Sequence, residues 1–321
     1  MRKSLMRLTL RQLQVFRAVC ETRSYSRAAE EMALTQPAVS LQIRQLEELV
    51  GQPLFEYVGK KLYLTPAADA LQRAGADIFG RLESLDMQLS DLQGSLQGQL
   101  SLTVESSAQY LVPHLFSEFR HKYPEVSLQL TVVNHAQALR RLSVSRDDLW
   151  LLSQVPTDMG LDFLPFMENE IVAVVTADHP LCSRPELTLQ DLGEWPLLVR
   201  ETGSGTRLAC ERFCHDKRAH FPLTLQLGSL EAQRQGVLAG LGIALLPRQA
   251  VSLELAAGRL RELPVAELPL RHSWCVVHPR DRYLSPVAAA FLDFIRTQRP
   301  ALNALNQRLQ SASCCAASAG N

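Results

Sequence analysis

Apolar residues recur at helical intervals through the first third of the chain. Leu13, Phe16, Val19 and Cys20 form a stripe behind Thr9 and Gln12, whose spacing is that of a capping box, and predict a first helix. After a polar break at Thr22 to Ser24, the positions Tyr25, Ala28, Ala29 and Met32 share one face of a short second helix, with Ser24 as its cap. Thr35 caps a third helix whose first turn holds Pro37, where a missing N–H costs nothing. Two helices joined by so short a turn make a helix-turn-helix. On the third helix, at roughly 100° per residue, Ile43 and Leu46 fall close to Val39 and face inward, while Pro37, Ser40, Leu41, Arg44 and Glu48 face out. Leu54 to Tyr57 and Lys61 to Leu64 then read as a hairpin around Val58, Gly59 and Lys60.

From Leu71 the apolar residues fall at 71, 74, 78, 82, 85, 89, 92 and 96. Steps of three and four sustained this long make a narrow coiled-coil seam. A helix from Pro66 to Leu96 would be about 46 Å long, and it requires a partner helix to be stable in water. Beyond Gly94 and Gly98 the pattern changes to alternating strands and helices. Strands are expected at Gln99 to Glu105, Val126 to Val133 and Asp148 to Leu152, with helices at Tyr110 to Tyr123 and Gln137 to Ser145. This βαβ order predicts an α/β unit on an open parallel sheet, with ligands at the carboxyl ends of the strands.

Length and composition set the frame for these elements. The chain has 321 residues, 46% hydrophobic and 21% charged, which suits two or three compact domains and excludes a fibrous or unfolded protein. The longest apolar run, Val237 to Leu246, is half of what a bilayer span needs, and no apolar segment follows the early arginines as a secretory signal would require. The expectation is a cytoplasmic protein with no membrane association. Net charge is zero, yet residues 1–65 carry ten Lys and Arg against six Glu. A basic head on a slightly acidic remainder points to a polyanion bound by the head alone.

The outward face of the third helix suits the DNA major groove. Arg44 can fork onto guanine or phosphate, Gln36 can pair with adenine, and Leu41 can touch a thymine methyl. Thr35, Pro37 and Ser40 complete that face, and Lys60 and Lys61 on the hairpin can follow the phosphate backbone. A surface helix on any small bundle could share this composition. In the second half, three loops follow strands: Ser106 and Ser107, Asn134 and His135, and Glu201 to Arg207. In the last, Gly203 and Gly205 let backbone N–H groups converge, Ser204 and Thr206 add hydroxyls, the N-terminus of the following helix favours an anion, and Arg200 and Arg207 bracket the loop. A cap on a tight turn would use the same residues.

Catalytic patterns are missing. Eight histidines form no zinc-hydrolase spacing, Ser204 lies in Gly-Ser-Gly rather than a nucleophile elbow, and Ala239 to Ala244 lacks the setting of a dinucleotide fingerprint. No catalytic residue, metal site or cofactor is expected. The seven cysteines are scattered, and Cys210 and Cys214, four apart, offer a redox pair or plain packing.

The stretch from Leu8 to Ala68 resembles the winged helix-turn-helix of the LysR-type bacterial transcriptional regulators. SRAAEEM from Ser26, LTQPAVS from Leu34, IRQLEE from Ile43 and the LF pair at Leu54 carry the likeness. The span from about Gln99 to Arg299, with DDLWLL from Asp147, PFMENEIV from Pro165, DHPL from Asp178 and AGLGIALLP from Ala239, is similar to the family's two-lobed effector domain, which has the fold of periplasmic binding proteins. GKKLYLT from Gly59 is similar to the branch that controls carbon-fixation genes. Tyr57 stands where the wing commonly has Arg, Trp150 where Ala is usual, and Ser229, Leu230 and Glu231 replace the commoner Ser-Asn-Glu.

The resemblance implies four parts: a DNA-binding domain over 1–65, a dimerisation linker over 66–97, an effector domain over 98–300 and a flexible tail over 301–321. It also implies double-stranded DNA, a small anionic effector, RNA polymerase and further copies of the chain, as dimer or tetramer, as partners. A solute-binding protein with an adventitious helical head, or a thiol-based redox switch, are the rival readings.

Overall fold

The computed structural model describes residues 5–59, 61–91, 96–144 and 147–311. Lys60, Leu92 and Gly94, singled out above, lie outside the described residues, as do Cys314 and Cys315 among the seven cysteines. The chain divides into two compact units, the first reaching Leu85 and the second comprising nearly all that follows.

The first unit begins with α1 (Leu10–Thr22), α2 (Tyr25–Glu31) and α3 (Gln36–Val50). Each starts on a side chain legible in the sequence. The Thr9 hydroxyl accepts from the Gln12 N–H at 3.2 Å while the Gln12 side chain accepts from the Thr9 N–H at 3.0 Å, and Ser24 and Thr35 cap α2 and α3. Gly51 ends α3 in the left-handed region. Strands β1 (Phe55–Val58) and β2 (Lys61–Leu64) form an antiparallel hairpin, followed by the long α4 (Pro66–Asp91). Phe55 meets Phe16 and Tyr25 at ring-centroid distances of 5.6 and 6.0 Å, which seats the hairpin on the three-helix core. Along α4 the seam residues Ile78, Leu82, Leu85 and Leu89 are 40–53% exposed.

The second unit contains β3 (Gly98–Glu105), α5 (Val112–Lys122), β4 (Val126–Val133), α6 (His135–Ser143), β5 (Leu149–Leu152) and β6 (Leu161–Thr176). It continues through β7 (Leu197–Arg200), α7 (Gly205–Asp216), β8 (Thr224–Leu227), α8 (Leu230–Leu238), β9 (Ile243–Pro247), α9 (Ser252–Ala256), β10 (Leu260–Glu262), β11 (Leu270–Pro279) and α10 (Pro286–Ser311). The main strand order is β4-β3-β5-β11-β6-β9-β7-β8.

The parallel sheet expected over the first three strands is present, β3 being parallel to β4 and β5, and the rest of the unit extends it. β7 is likewise parallel to β8 and β9, and between these two parallel wings β11 pairs antiparallel along its whole length with residues 161–171 of β6. Separate cores identify two lobes: Leu100, Leu102, Phe119, Trp274, Phe291 and Ile295 in the first, and Ile171, Val175, Leu197, Ile243 and Leu245 in the second. The register of β6 on β11 slips between Trp274 and Cys275, opposite Met167 and Pro165, so that Phe166 is left over as a bulge. A proline inside a strand is accommodated at such a place.

The tail expected from 301 is helical as far as Ser311: α10 continues through Pro300, and Leu302 is buried in the first lobe's core, so packing holds the start of this segment. Residues 312–321 lie outside the described residues. No helix among the described residues is long and apolar enough to cross a membrane.

Candidate functional site

The exposed face of α3 is built by its buried one. Val39, Ile43 and Leu46 are fully buried against the helical core, which turns Gln36, Pro37, Ser40, Leu41 and Arg44 to solvent. Thr35 accepts from the Ala38 N–H at 3.4 Å and fixes the entry of the helix. Leu41 is 54% exposed, a cost in water unless an apolar group meets it. Arg44 approaches Glu48 only to 3.9 Å and both are well exposed, so this ion pair holds the guanidinium weakly and leaves it free to fork onto another acceptor. Lys61, at the tip of the hairpin opposite Val58, is exposed, as is Tyr57.

In the second unit the loops named from the sequence converge where the two lobes meet. Ser106 and Ser107 open a 3-10 turn directly after β3, and Ser107 is buried. Asn134 caps α6 reciprocally, accepting from the Gln137 N–H at 3.0 Å while Gln137 accepts from the Asn134 N–H at 3.1 Å. Ser204 caps α7, accepting from the Arg207 N–H at 3.4 Å. Gly203 adopts a φ of +88°, and a Cβ there would lie 2.9 Å from that of Ala136, so the loop passes against α6 only because it is glycine. The Ala136 N–H donates to the Gly203 carbonyl at 3.0 Å, joining the lobes. Gln154 reaches the Gly205 carbonyl at 3.3 Å, and Arg200 Nη2 donates to Ser106 Oγ at 3.1 Å. Ser106, Asn134, Gly203 and Gly205 thereby lie where the two lobes touch, with Ser204 and Thr206 buried beside them.

Two residues expected there are committed elsewhere. The Arg207 guanidinium binds Glu211 at 2.6 Å, Gln226 at 2.9 Å and the Arg200 carbonyl at 2.8 Å. The His135 ring is buried, with Nδ1 2.8 Å from Glu105 Oε1. Glu105 was not anticipated: it ends β3, is buried, and also accepts from the Ser153 N–H at 3.0 Å and the Ser153 hydroxyl at 2.8 Å. Its carboxylate ties β3, α6 and β5 together, so the cleft floor has a fixed shape. Beside it, His272 pairs with the Asn169 amide at 2.7 Å, and burial holds its pKa below the usual histidine value despite the nearby Glu105 carboxylate. The neutral ring can then accept from the amide.

Among the described residues the thiols lack the electrostatics of a redox sensor. Burial pushes Cys210 well above the ordinary thiol range, Cys214 and Cys275 up to about 11 and Cys20 up to about 12. Thiolate is the oxidisable form and is scarce at neutral pH for such groups. Cys210→Ser is therefore expected to leave DNA affinity unchanged with and without peroxide, measured by fluorescence anisotropy. An oxidant response lost in the variant would establish the redox reading instead.

Comparison with known proteins gives two family matches: residues 10–69 match the bacterial regulatory helix-turn-helix protein, lysR family, and residues 93–300 match the LysR substrate binding domain. The HTH-type transcriptional activator CmpR of Synechocystis sp. is 39% identical over 287 residues, 89% of this chain and 94% of that protein. A RuBisCO operon transcriptional regulator of Acidithiobacillus ferrooxidans is 40% identical over 292 residues, 91% of this chain and 94% of the relative. Among solved structures, the CcmR regulatory domain of Synechocystis in complex with 2-PG is 34% identical with a TM-score of 0.60, covering 63% of this chain and 97% of that one.

Proposed function

Because the chain belongs to the LysR family of bacterial transcriptional regulators, with a DNA-binding head and an effector-binding domain, we propose that it reads an interrupted palindrome through α3 and answers to a small anionic metabolite held between the lobes. It is a regulator and not an enzyme. The observation that carries the reading is the α3 face: a hydroxyl, an amide, a loosely held guanidinium and an unburied leucine aligned on one side of a capped helix.

The exposed seam of α4 supports pairing with a second copy, and a two-fold pair of heads reads two half-sites. Dimers assemble further into tetramers, and the cytoplasm is the compartment where such a protein meets its operator. The relatives named for the RuBisCO operon support carbon-fixation genes as the targets, and the 2-PG complex of a similar regulatory domain supports a small-molecule effector held in this one. The effector acts by binding one arrangement of the lobes more tightly than another, which changes how the assembled heads hold DNA and present it to RNA polymerase. Only such differential affinity can move the equilibrium.

Selection of bound DNA from a random pool tests the head. An interrupted palindrome is expected from the wild type. With Gln36→Ala, Ser40→Ala or Arg44→Ala, discrimination should fall by about 1–3 kcal/mol where a bidentate base contact is lost. Lys61→Ala should weaken all sequences alike and reduce the salt slope by about one. If no sequence is enriched at moderate salt, the head is not a reader and the protein is a ligand-binding protein only. Footprinting with and without 2-PG tests the effector half, and a footprint indifferent to every small anion would remove it.

A further inference from the structure

We propose that Arg200 is the anion-recognising residue of the effector cleft, and that it grips a carboxylate or phosphate oxygen jointly with the Ser106 hydroxyl of the opposite lobe. The assignment rests on the effector reading above and adds the residue pair and the ligand chemistry.

Arg200 ends β7 and is only 3% exposed. Its Nε and Nη2 donate to the two Glu201 oxygens at 2.8 and 2.9 Å, a side-on pairing that holds the guanidinium plane in place. Nη2 also donates to Ser106 Oγ across the cleft. Nη1 is buried and has no hydrogen-bond partner in the protein. A buried charged donor without an acceptor is unfavourable, and one left so beside a ligand cleft calls for an acceptor from outside.

The geometry names that acceptor. A guanidinium whose Nε edge is taken presents Nη1 as its remaining donor. Ser106, which accepts from Nη2, still has its own O–H to give. An oxyanion meeting both would be bound by one donor from each lobe. Helix α7, capped by Ser204, starts in the same cleft and adds favourable potential for negative charge. Glu201 already neutralises one unit of charge, so Nη1 selects its ligand by direct hydrogen bonding more than by long-range attraction. The other nearby arginine, Arg207, has its donors on Glu211, Gln226 and a carbonyl, and serves as a control. Because the Arg200–Ser106 contact spans the lobes, occupancy of this subsite and lobe closure are one equilibrium.

The test is isothermal titration of the full chain with 2-PG and, separately, inorganic phosphate. Arg200→Gln is expected to weaken binding roughly 10- to 100-fold, as loss of a buried charge-assisted hydrogen bond implies. Arg200→Lys, which keeps the charge but not the planar fork, should fall between, and Ser106→Ala should weaken binding to a smaller extent. Arg207→Gln should bind as the wild type does. Should Arg200→Gln fail to fold, the ordering of Arg200→Lys and Ser106→Ala against Arg207→Gln decides the matter alone. Wild-type binding that survives in Arg200→Gln, or in both of the milder variants, would overturn the assignment while leaving the anionic effector intact. A wild type that takes up neither probe would overturn the anionic reading itself, and this subsite with it.

Discussion

Replacing Leu85 and Leu89 together by glutamate is expected to convert the protein to monomers and to lower its affinity for a two-half-site operator by more than a hundredfold. Ile78, Leu82, Leu85 and Leu89 are 40–53% exposed in the isolated chain, on a helix 26 residues long. Fully burying an aliphatic side chain is worth roughly 1.5–3 kcal/mol, so four half-exposed residues on each of two helices supply several kcal/mol to a pair. Glutamates facing each other across the seam forfeit that and add repulsion. A monomer reaches its two half-sites as independent events, and the gain from effective concentration, about 10²–10⁴-fold, disappears. Sedimentation equilibrium reads the first outcome and operator titration the second. Dimers persisting in the double variant would move the interface off the seam.

The second large effect is expected at Gly205. A Cβ there would stand 2.5 Å from Glu105 Oε2, 3.1 Å from its carboxyl carbon and 3.3 Å from Ser153 Oγ. The carboxylate is held by His135 and by two donors of Ser153, so it cannot move without leaving buried groups unpaired. Overpacking of this kind costs about 1–3 kcal/mol, and each orphaned buried group about as much again. For a unit of this size Gly205→Ala should lower the melting temperature by roughly 5–15 °C in calorimetry. Glu105→Ala is itself destabilising, but on that background Gly205→Ala should cost little, since the obstructing group is gone. Additive losses in the double variant would mean that the two residues are not coupled and that the cleft floor is not built as described.

How far the sequence led is clear from particular residues. Thr9, Ser24 and Thr35 announced three helix starts because capping is a local affair, settled within four residues. The inward and outward faces of α3 followed from the helical period alone, and β4 matched its expected bounds. Glu105 gave no such signal. An acid at the end of a strand reads as a surface residue, and its burial depends on His135 and Ser153, 30 and 48 positions away. The same applies to β6 and β11, which pair across about a hundred residues: nothing local in either strand marks it as shared by two lobes. Arg200 and Arg207 bracket the glycine loop alike in the sequence, yet Gln226 and Glu211 claim Arg207, while Arg200 keeps a donor with no partner in the protein.

The two strands shared by the lobes have a mechanical consequence. Both pass from one lobe's core into the other's, through residues 168–170 of β6 and 271–273 of β11, so the lobes are joined by a paired ribbon that resists sliding and permits rocking. A rocker trades distance for force. A ligand that draws Ser106 toward Arg200 by a fraction of an ångström swings the far edges, β4 at one end and β8 at the other, through a larger arc. The effector's few atoms thus act with leverage set by the sheet's breadth.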